Sequence, residues 1–388
     1  MKDPAATFVE ATDANVVGRI LLPPRAERRA AMPDGYRSAP MRNWFQRAAG
    51  SADTLWHHQA AALSQTDAGR DVVVATGTAS GKSLVFQAPI IREMLESNKR
   101  AIVLYPQISL CSDQATRWER GLEAAGLDPG LVGQIHGQIP PDERTRVLND
   151  CRVIVATPDT VHSWLMPQVA APAGQALFNK LEFVVLDEAH LYDSVFGSNG
   201  GLLMRRLECA AHRYGSRFQY IAASATIANP AEHLANLTGR AFVAIEEHEN
   251  GAPFHGLTIL HIEGPDHGVA AEKMLTDTLA RLTGAIAPDA FIAFMDSRQG
   301  AEKIAKNLGH ESVLPYRSGY EAEDRRIIER KMREAELLGV VSTSALEVGI
   351  DIPQFIYGLN VGLPNTRKAF RQRVGRIGRS SPGVFALI

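Results

Sequence analysis

The run Asp71-Val72-Val73-Val74-Ala75 empties into Thr76-Gly77-Thr78-Ala79-Ser80-Gly81-Lys82-Ser83, and a helical pattern follows to about residue 97. An apolar strand, a turn of small residues and a helix in direct succession confine the chain to α/β architectures. A continuously apolar strand is covered on both faces, and helices between such strands make the sheet parallel. The pattern recurs at residues 101–105, 152–156, 183–186 and 219–223, each an apolar run ending in a polar loop. Residues 246–256 break it with charges, Asn250-Gly251 and Pro253, and a second series then begins. Its strands are expected at 290–294, 312–314, 338–342, 355–361 and 384–388, with helices at 298–308 and 321–333. The expected fold is α/β: two parallel-sheet domains flanked by helices, at residues 41–245 and 257–388, joined by a linker at 246–256. Residues 1–40 read as a short irregular arm, because Pro23-Pro24 and Pro33-Asp34-Gly35 leave little periodicity.

A chain of 388 residues with 45% hydrophobic and 22% charged residues has material for two cores. No stretch reaches the ~18 apolar residues of a membrane span, so no membrane partner is expected. Asp3, Glu10 and Asp13 stand where a secretory signal would be apolar, so the cytoplasm is the expected location. Cys111, Cys151 and Cys209 lie far apart in apolar contexts and read as buried small residues, not as disulfides or zinc ligands. The net charge of −2 argues against a surface that grips nucleic acid everywhere, and leaves room for a local groove.

Three loops carry chemistry. Lys82 offers an ammonium to nucleotide phosphates, Gly81 lets the backbone come close, and the following helix presents its positive end. Thr78, Ala79 and Ser80 complete the loop, and Ser83 is placed to hold Mg²⁺. Thr76 and Ala79 stand where glycines are commoner in such loops. Asp187 and Glu188 end the apolar run at 183–186: one carboxylate suits a cation, while the other orients and deprotonates water. His190, two residues on, reads as a coupler to a neighbouring loop. Far along the chain, Gln372-Arg373-Val374-Gly375-Arg376-Ile377-Gly378-Arg379 offers Arg376 and Arg379 to the charge of a phosphoryl-transfer transition state. The plainer alternative is a solvated basic helix end, since Arg367, Lys368, Arg371 and Arg373 surround the pair.

In this order the motifs resemble the superfamily 2 DEAD/DEAH-box helicases, whose fold is two tandem RecA-like domains. They look most like the RecQ-like mitomycin repair factor A (YprA-type) DNA helicase group, over residues from about 15 to 388. Leu55-Trp56-His57-His58-Gln59 resembles that group's adenine-reading segment, with Gln59 as the implied base contact. Residues 75–83 match its form of the phosphate loop, and Val195-Phe196-Gly197-Ser198 is a further mark of it. The resemblance implies nucleic-acid contacts at Thr157, Pro158 and Asp159, at Ser297 and Arg298, and at Thr343. It implies coupling at Ser224 and Thr226, nucleotide contacts at Gly349 and Asp351, and catalytic roles for Lys82, Glu188, Gln372, Arg376 and Arg379. The arginines would complete an ATP site held by the other domain.

The implied activity is that of an ATP- and Mg²⁺-dependent translocase on nucleic acid, as a 3′→5′ DNA helicase of repair or defence acting on single-stranded DNA. The rival readings are an RNA helicase of the same superfamily and a nucleotide-gated binding ATPase that does not unwind. Two departures bear on this. Gln107 and Ile108 stand where the group has threonine and lysine near the strand's phosphates. The group also continues into a cysteine-rich zinc-binding domain, for which this sequence leaves no room after the arginine motif. Either the sequence is a shortened piece, or a partner protein supplying that domain is expected.

Overall fold

The computed structural model describes residues 3–388 except 226, 265–268, 288, 318 and 347–354. The chain divides into two compact units, one made of Met1–Ala26 with Pro253–Ile388 and the other of Glu27–Ala252. Strands follow in chain order: β1 (Val16–Leu22), β2 (Arg29–Ala31), β3 (Thr54–Trp56), β4 (Asp71–Ala75), β5 (Arg100–Leu104), β6 (Val132–Ile135), β7 (Val153–Ala156), β8 (Leu181–Leu186), β9 (Gln219–Ala223) and β10 (Phe242–Glu246). β11 (Leu257–Ile262), β12 (Phe291–Phe294), β13 (Val313–Tyr316), β14 (Gly339–Ser342), β15 (Tyr357–Asn360) and β16 (Gly383–Leu387) complete them.

In the Glu27–Ala252 unit the sheet order is β10-β4-β9-β8-β5-β7-β6, and every neighbouring pair is parallel. All seven strands therefore deliver their C-terminal ends to one edge. Alternate residues of the buried strands feed two separate cores: Val72, Val74, Val103 and Val185 face one, while Val73, Ile102, Leu104 and Val184 face the other. Such two-sided burial is what an unbroken apolar strand predicts. β2 and β3 form a small antiparallel pair apart from this sheet.

The other unit carries the order β1-β11-β16-β15-β12-β14-β13, parallel throughout except for β1, which is antiparallel to β11. Residues 1–40 are thus not an irregular arm. Asp3 caps a helix over Pro4–Thr12 by accepting from the Ala5 N–H at 3.1 Å, and Phe8 of that helix is fully buried in this unit's core. β1 then joins as an edge strand. Its side chains are mostly exposed, so burial leaves no periodic signature in the sequence. Residues 27–31 belong instead to the other unit, where the Arg28 guanidinium bonds the carbonyls of His248 and Asn250. The expected linker also shifts: Glu246 closes β10, and the chain passes between units at Ala252–Pro253. No described helix is long and apolar enough to cross a membrane.

One polar clamp fixes where β4 begins. The Asp71 carboxylate, almost wholly buried, accepts from the Tyr220 N–H of β9 at 2.8 Å and pairs with Arg240 at 2.6 Å, just ahead of β10. Burial raises the Asp71 pKa, and the Tyr220 amide and Arg240 pull it back. Arg240→Ala leaves that carboxylate without its cation. Allowing for the partial exposure of Arg240, the expected loss is about 2 kcal/mol, read as a shift of the chemical-denaturation midpoint. A midpoint within error of the unaltered protein would remove the clamp from the account.

Candidate nucleotide and nucleic-acid site

β4 ends at Ala75, and the loop to the helix Ser83–Glu96 closes on itself. The Thr76 and Ser80 hydroxyls are 2.7 Å apart, and Ser80 Oγ donates to the Gly77 carbonyl at 2.9 Å. Lys82 Nζ donates to the carbonyls of Thr76 (2.9 Å) and Gly77 (2.7 Å), so the ammonium rests on its own loop. The Thr76 hydroxyl thus braces the turn. Gly81 has φ of 67°, and a Cβ there would come within 2.7 Å of Gln59 Nε2 and 3.0 Å of the Trp56 ring. Gln59 bridges the two segments: its Oε1 accepts from the Trp56 N–H at 3.2 Å and its Nε2 donates to the Gly81 carbonyl at 3.1 Å. Beside this bridge lies a cleft of about 340 Å³ lined by Arg29, Trp56, Gln59, Gly81, Gln87 and Arg117.

β8 delivers the acids. Asp187 accepts from the Glu188 N–H at 2.8 Å, and Glu188 sits at φ of 51°, a left-handed conformation that non-glycine residues adopt mainly at strained, often functional positions. Desolvation, and then the neighbouring Glu188 charge, raise the Asp187 pKa, while the Lys82 charge lowers it. The Ser83 hydroxyl and the Asp187 carboxylate are hard oxygen donors. Among the described residues no group of three or more His, Cys, Asp or Glu side chains could hold a metal. Donors of this kind suit Mg²⁺, which keeps waters and phosphate oxygens in its shell.

His190 is buried, and one ring nitrogen serves two neighbours: its Nδ1 accepts from the Ala225 N–H at 3.3 Å and lies 3.3 Å from Glu188 Oε2. Ser224 anchors the end of β9 to β4 through its N–H on the Val74 carbonyl at 2.9 Å, while its buried hydroxyl has no hydrogen-bond partner among the described residues. Thr157, at the end of β7, is buried with its hydroxyl on that of Thr160 at 3.0 Å; Pro158 is buried beside it and Asp159 is exposed. Lys82, Ser83, Asp187, Glu188, His190 and Ser224 thus follow strands that end at one sheet edge, while Thr226 lies outside the described residues.

In the other unit, Ser297 caps the helix Arg298–Leu308 by accepting from the Gly300 N–H at 3.1 Å, and Arg298 is exposed. Thr343 is buried directly after β14. The helix Arg367–Val374 carries Gln372, which is buried, as are Arg373 and Arg376; Arg379 is partly buried and bonds the Gly375 carbonyl at 3.2 Å. Arg367 and Arg371 are exposed, so the cluster has a solvated side and a buried one that carries Arg373 and Arg376. Arg373 is a framework residue, bonded to Asn360 at 2.7 Å and Asp296 at 3.0 Å with its guanidinium over the Phe294 ring. Gly349 and Asp351 lie outside the described residues. Cys209 is exposed, on the outer side of the helix Ser194–Arg213, so only Cys111 and Cys151 are the buried small residues expected.

Comparison with known families agrees with this arrangement. The DEAD/DEAH box helicase family matches residues 56–234, and the helicase conserved C-terminal domain matches residues 274–381. The chain belongs to the superfamily 2 DEAD/DEAH-box helicases, within their YprA-type group. It is 32% identical to the ATP-dependent helicase YprA of Bacillus subtilis over 340 residues, which are 84% of this chain and 45% of that protein. It is likewise 32% identical to the ATP-dependent helicase HRQ1 of Saccharomyces cerevisiae, covering 87% of this chain and 33% of that one. The chain therefore spans less than half the length of either relative. The crystal structure of the DUF1998 helicase MrfA bound to DNA and AMPPNP superposes with a TM-score of 0.90 at 29% identity, over all of this chain and 55% of that one.

For a helicase loop of this kind Ala79 is informative: its φ is 59°, which explains why glycine is commoner there. Relief of the left-handed strain predicts that Ala79→Gly stabilises the unit by about 0.5–1 kcal/mol, after allowing for glycine's extra freedom when unfolded. Ala79→Val should instead destabilise it by more than ~1 kcal/mol. Thermal denaturation of the two variants checks the ordering, and a stabilised valine variant would contradict the backbone assignment.

Proposed function

We propose that the protein is an ATP-dependent nucleic-acid translocase, acting as a 3′→5′ DNA helicase on single-stranded DNA in repair or phage defence. The observation that carries this is the convergence on one sheet edge of a phosphate loop, an acidic pair and the buried His190 that touches both Glu188 and the Ser224-Ala225 turn. The DNA-bound MrfA likeness and the ATP-dependent relatives support the choice of ligands; direction and pathway rest on the family resemblance.

In this reading Lys82 leaves the carbonyls of Thr76 and Gly77 to hold the β- and γ-phosphates, and Gln59 with the adjoining cleft receives the adenine. Ser83 and Asp187 would hold Mg²⁺, which when bound would supply charge neutralisation at the phosphates. Glu188 takes a proton from water as the water oxygen bonds to the γ-phosphorus. The bond from that phosphorus to the bridging oxygen breaks, and ADP leaves with the electron pair. Arg376 and Arg379 supply the cationic charge that the transition state needs, and Gln372 offers a neutral amide beside them. Gly349 and Asp351 complete the nucleotide contacts. Thr157–Asp159, Ser297, Arg298 and Thr343 hold the strand by its phosphates, with His190, Ser224 and Thr226 linking hydrolysis to strand movement. The three cysteines are free thiols, in keeping with a cytoplasmic protein.

ATP turnover measured with single-stranded DNA and with RNA of equal length tests the substrate class. Stimulation by DNA is expected to be the larger, and stronger stimulation by RNA would replace the DNA reading with the RNA one. Glu188→Gln should bind ATP but hold it unhydrolysed, and rapid turnover would move the base elsewhere. Arg379→Ala should slow hydrolysis by ~10³-fold with nucleotide affinity nearly unchanged; a turnover number within a few-fold of normal would remove it from the site.

A further inference from the structure

The parallel register of β10 on β4 pairs Glu246 with Ala75, so the residues after both strands leave the sheet side by side. On one side that exit is the phosphate loop. On the other it is a turn of 3₁₀ helix, Glu247–Glu249, and the last residues before the chain passes to the other unit at Ala252–Pro253. The two exits are hydrogen-bonded. Glu247 Oε2 accepts from the Gly77 N–H at 2.7 Å, and the other carboxylate oxygen accepts from Asn250 Nδ2 at 3.0 Å. Asn250 Oδ1 in turn accepts from the Ala252 N–H at 3.0 Å.

A second connection runs through His58, which is fully buried. Its Nε2 lies 2.8 Å from the Ser80 carbonyl, and its Nδ1 is 3.2 Å from the Gly251 N–H. A carbonyl only accepts and an amide only donates, so Nε2 carries the hydrogen and Nδ1 offers its lone pair. The ring is the neutral tautomer, and burial lowers its pKa to about 4, which keeps it so. The crossing back into this unit joins the same place, since the Arg28 N–H donates to the Gly251 carbonyl at 2.8 Å.

We infer that Glu247 and His58 form a latch between the phosphate loop and residues 247–252, and that phosphate binding in the loop releases it. The inference rests on the nucleotide reading above and adds positioning residues to it. Gly77 is held on both sides of its Cα, its carbonyl by the Lys82 ammonium and its N–H by the Glu247 carboxylate. When the ammonium moves to a polyphosphate, the residue loses one restraint. The incoming negative charge then repels the carboxylate that supplies the other. What is released is residues 247–252, the last stretch before the chain leaves the unit, so occupancy of the loop is reported there by direct bonds. Nothing in the helicase motifs specifies this, because the latch arises from the β4–β10 register and not from a spacing in sequence.

Hydrogen exchange on the 388-residue chain, with and without saturating AMPPNP and Mg²⁺, tests the latch. The expected result is slower exchange of the phosphate-loop amides at 78–83, together with about fivefold faster exchange of the amides at 250–252, the ratio for one lost hydrogen bond. Glu247→Ala should exchange fast at 250–252 without nucleotide and show no further change on adding it. Glu247→Gln, which keeps an acceptor but carries no charge to be repelled, should exchange slowly at 250–252 without nucleotide and show a much smaller change on adding it. A protected phosphate loop with unchanged or slower exchange at 250–252 overturns the latch alone. A phosphate loop that AMPPNP does not protect overturns the nucleotide reading and the latch with it. A nucleotide response in Glu247→Ala equal to that of the unaltered protein also overturns the latch.

Discussion

The bonds that hold β4 in place carry the rest of the nucleotide edge. At its start Asp71 is tied to Tyr220 and Arg240; at its end the Val74 carbonyl receives the Ser224 N–H, and Ala75 pairs with Glu246. A five-residue strand with both neighbours in register has no freedom to slide, because a shift of one residue would exchange the two cores it feeds. The phosphate loop, the Ser224-Ala225 turn and the exit of β10 are therefore delivered at fixed relative heights. Asp187 and Glu188 join them through β8, the next strand in the sheet.

Around that fixed frame the site keeps several locally unfavourable features. Ala79 and Glu188 hold left-handed backbone, and the Ser224 hydroxyl is buried without a partner among the described residues. Each costs on the order of 1–3 kcal/mol in isolation. Their concentration at one sheet edge, with a lysine folded onto its own loop, describes groups arranged for ligands more than for stability. The framework role of Arg373 offers a contrast: it is bonded to Asn360 and Asp296 and lies over the Phe294 face, and it fixes the end of the helix Arg367–Val374, which Arg376 and Arg379 follow.

Much of this was legible in the sequence wherever the signal was covalent and local. β4, β5, β7, β8 and β9 show as unbroken apolar runs because both faces are buried, and Lys82, Asp187 and Glu188 follow such runs directly. The N-terminal region was misread because β1 is an exposed edge strand whose pairing partner lies more than two hundred residues away. β6 was not seen, since Val132-Gly133-Gln134-Ile135 is short and half polar, and Gly133 owes its place to Val147 and Cys151 crowding the space a Cβ would need. Among site residues, Glu247 and His58 were missed for the same reason as β1: their contacts come from strand register and not from spacing. Cys209 looked buried in its apolar neighbourhood, but the neighbouring Leu207, Ala210 and Ala211 turn inward on that helix and it turns out.

The central claim is that ATP hydrolysis at this edge is converted into movement along a strand. A labelled forked DNA duplex with a 3′ single-stranded tail, incubated with the protein and ATP while phosphate release is followed in the same sample, measures both quantities together. The account predicts strand release that requires hydrolysis and is lost when the tail is 5′ only. Sustained hydrolysis stimulated by the fork without release of the labelled strand would contradict it.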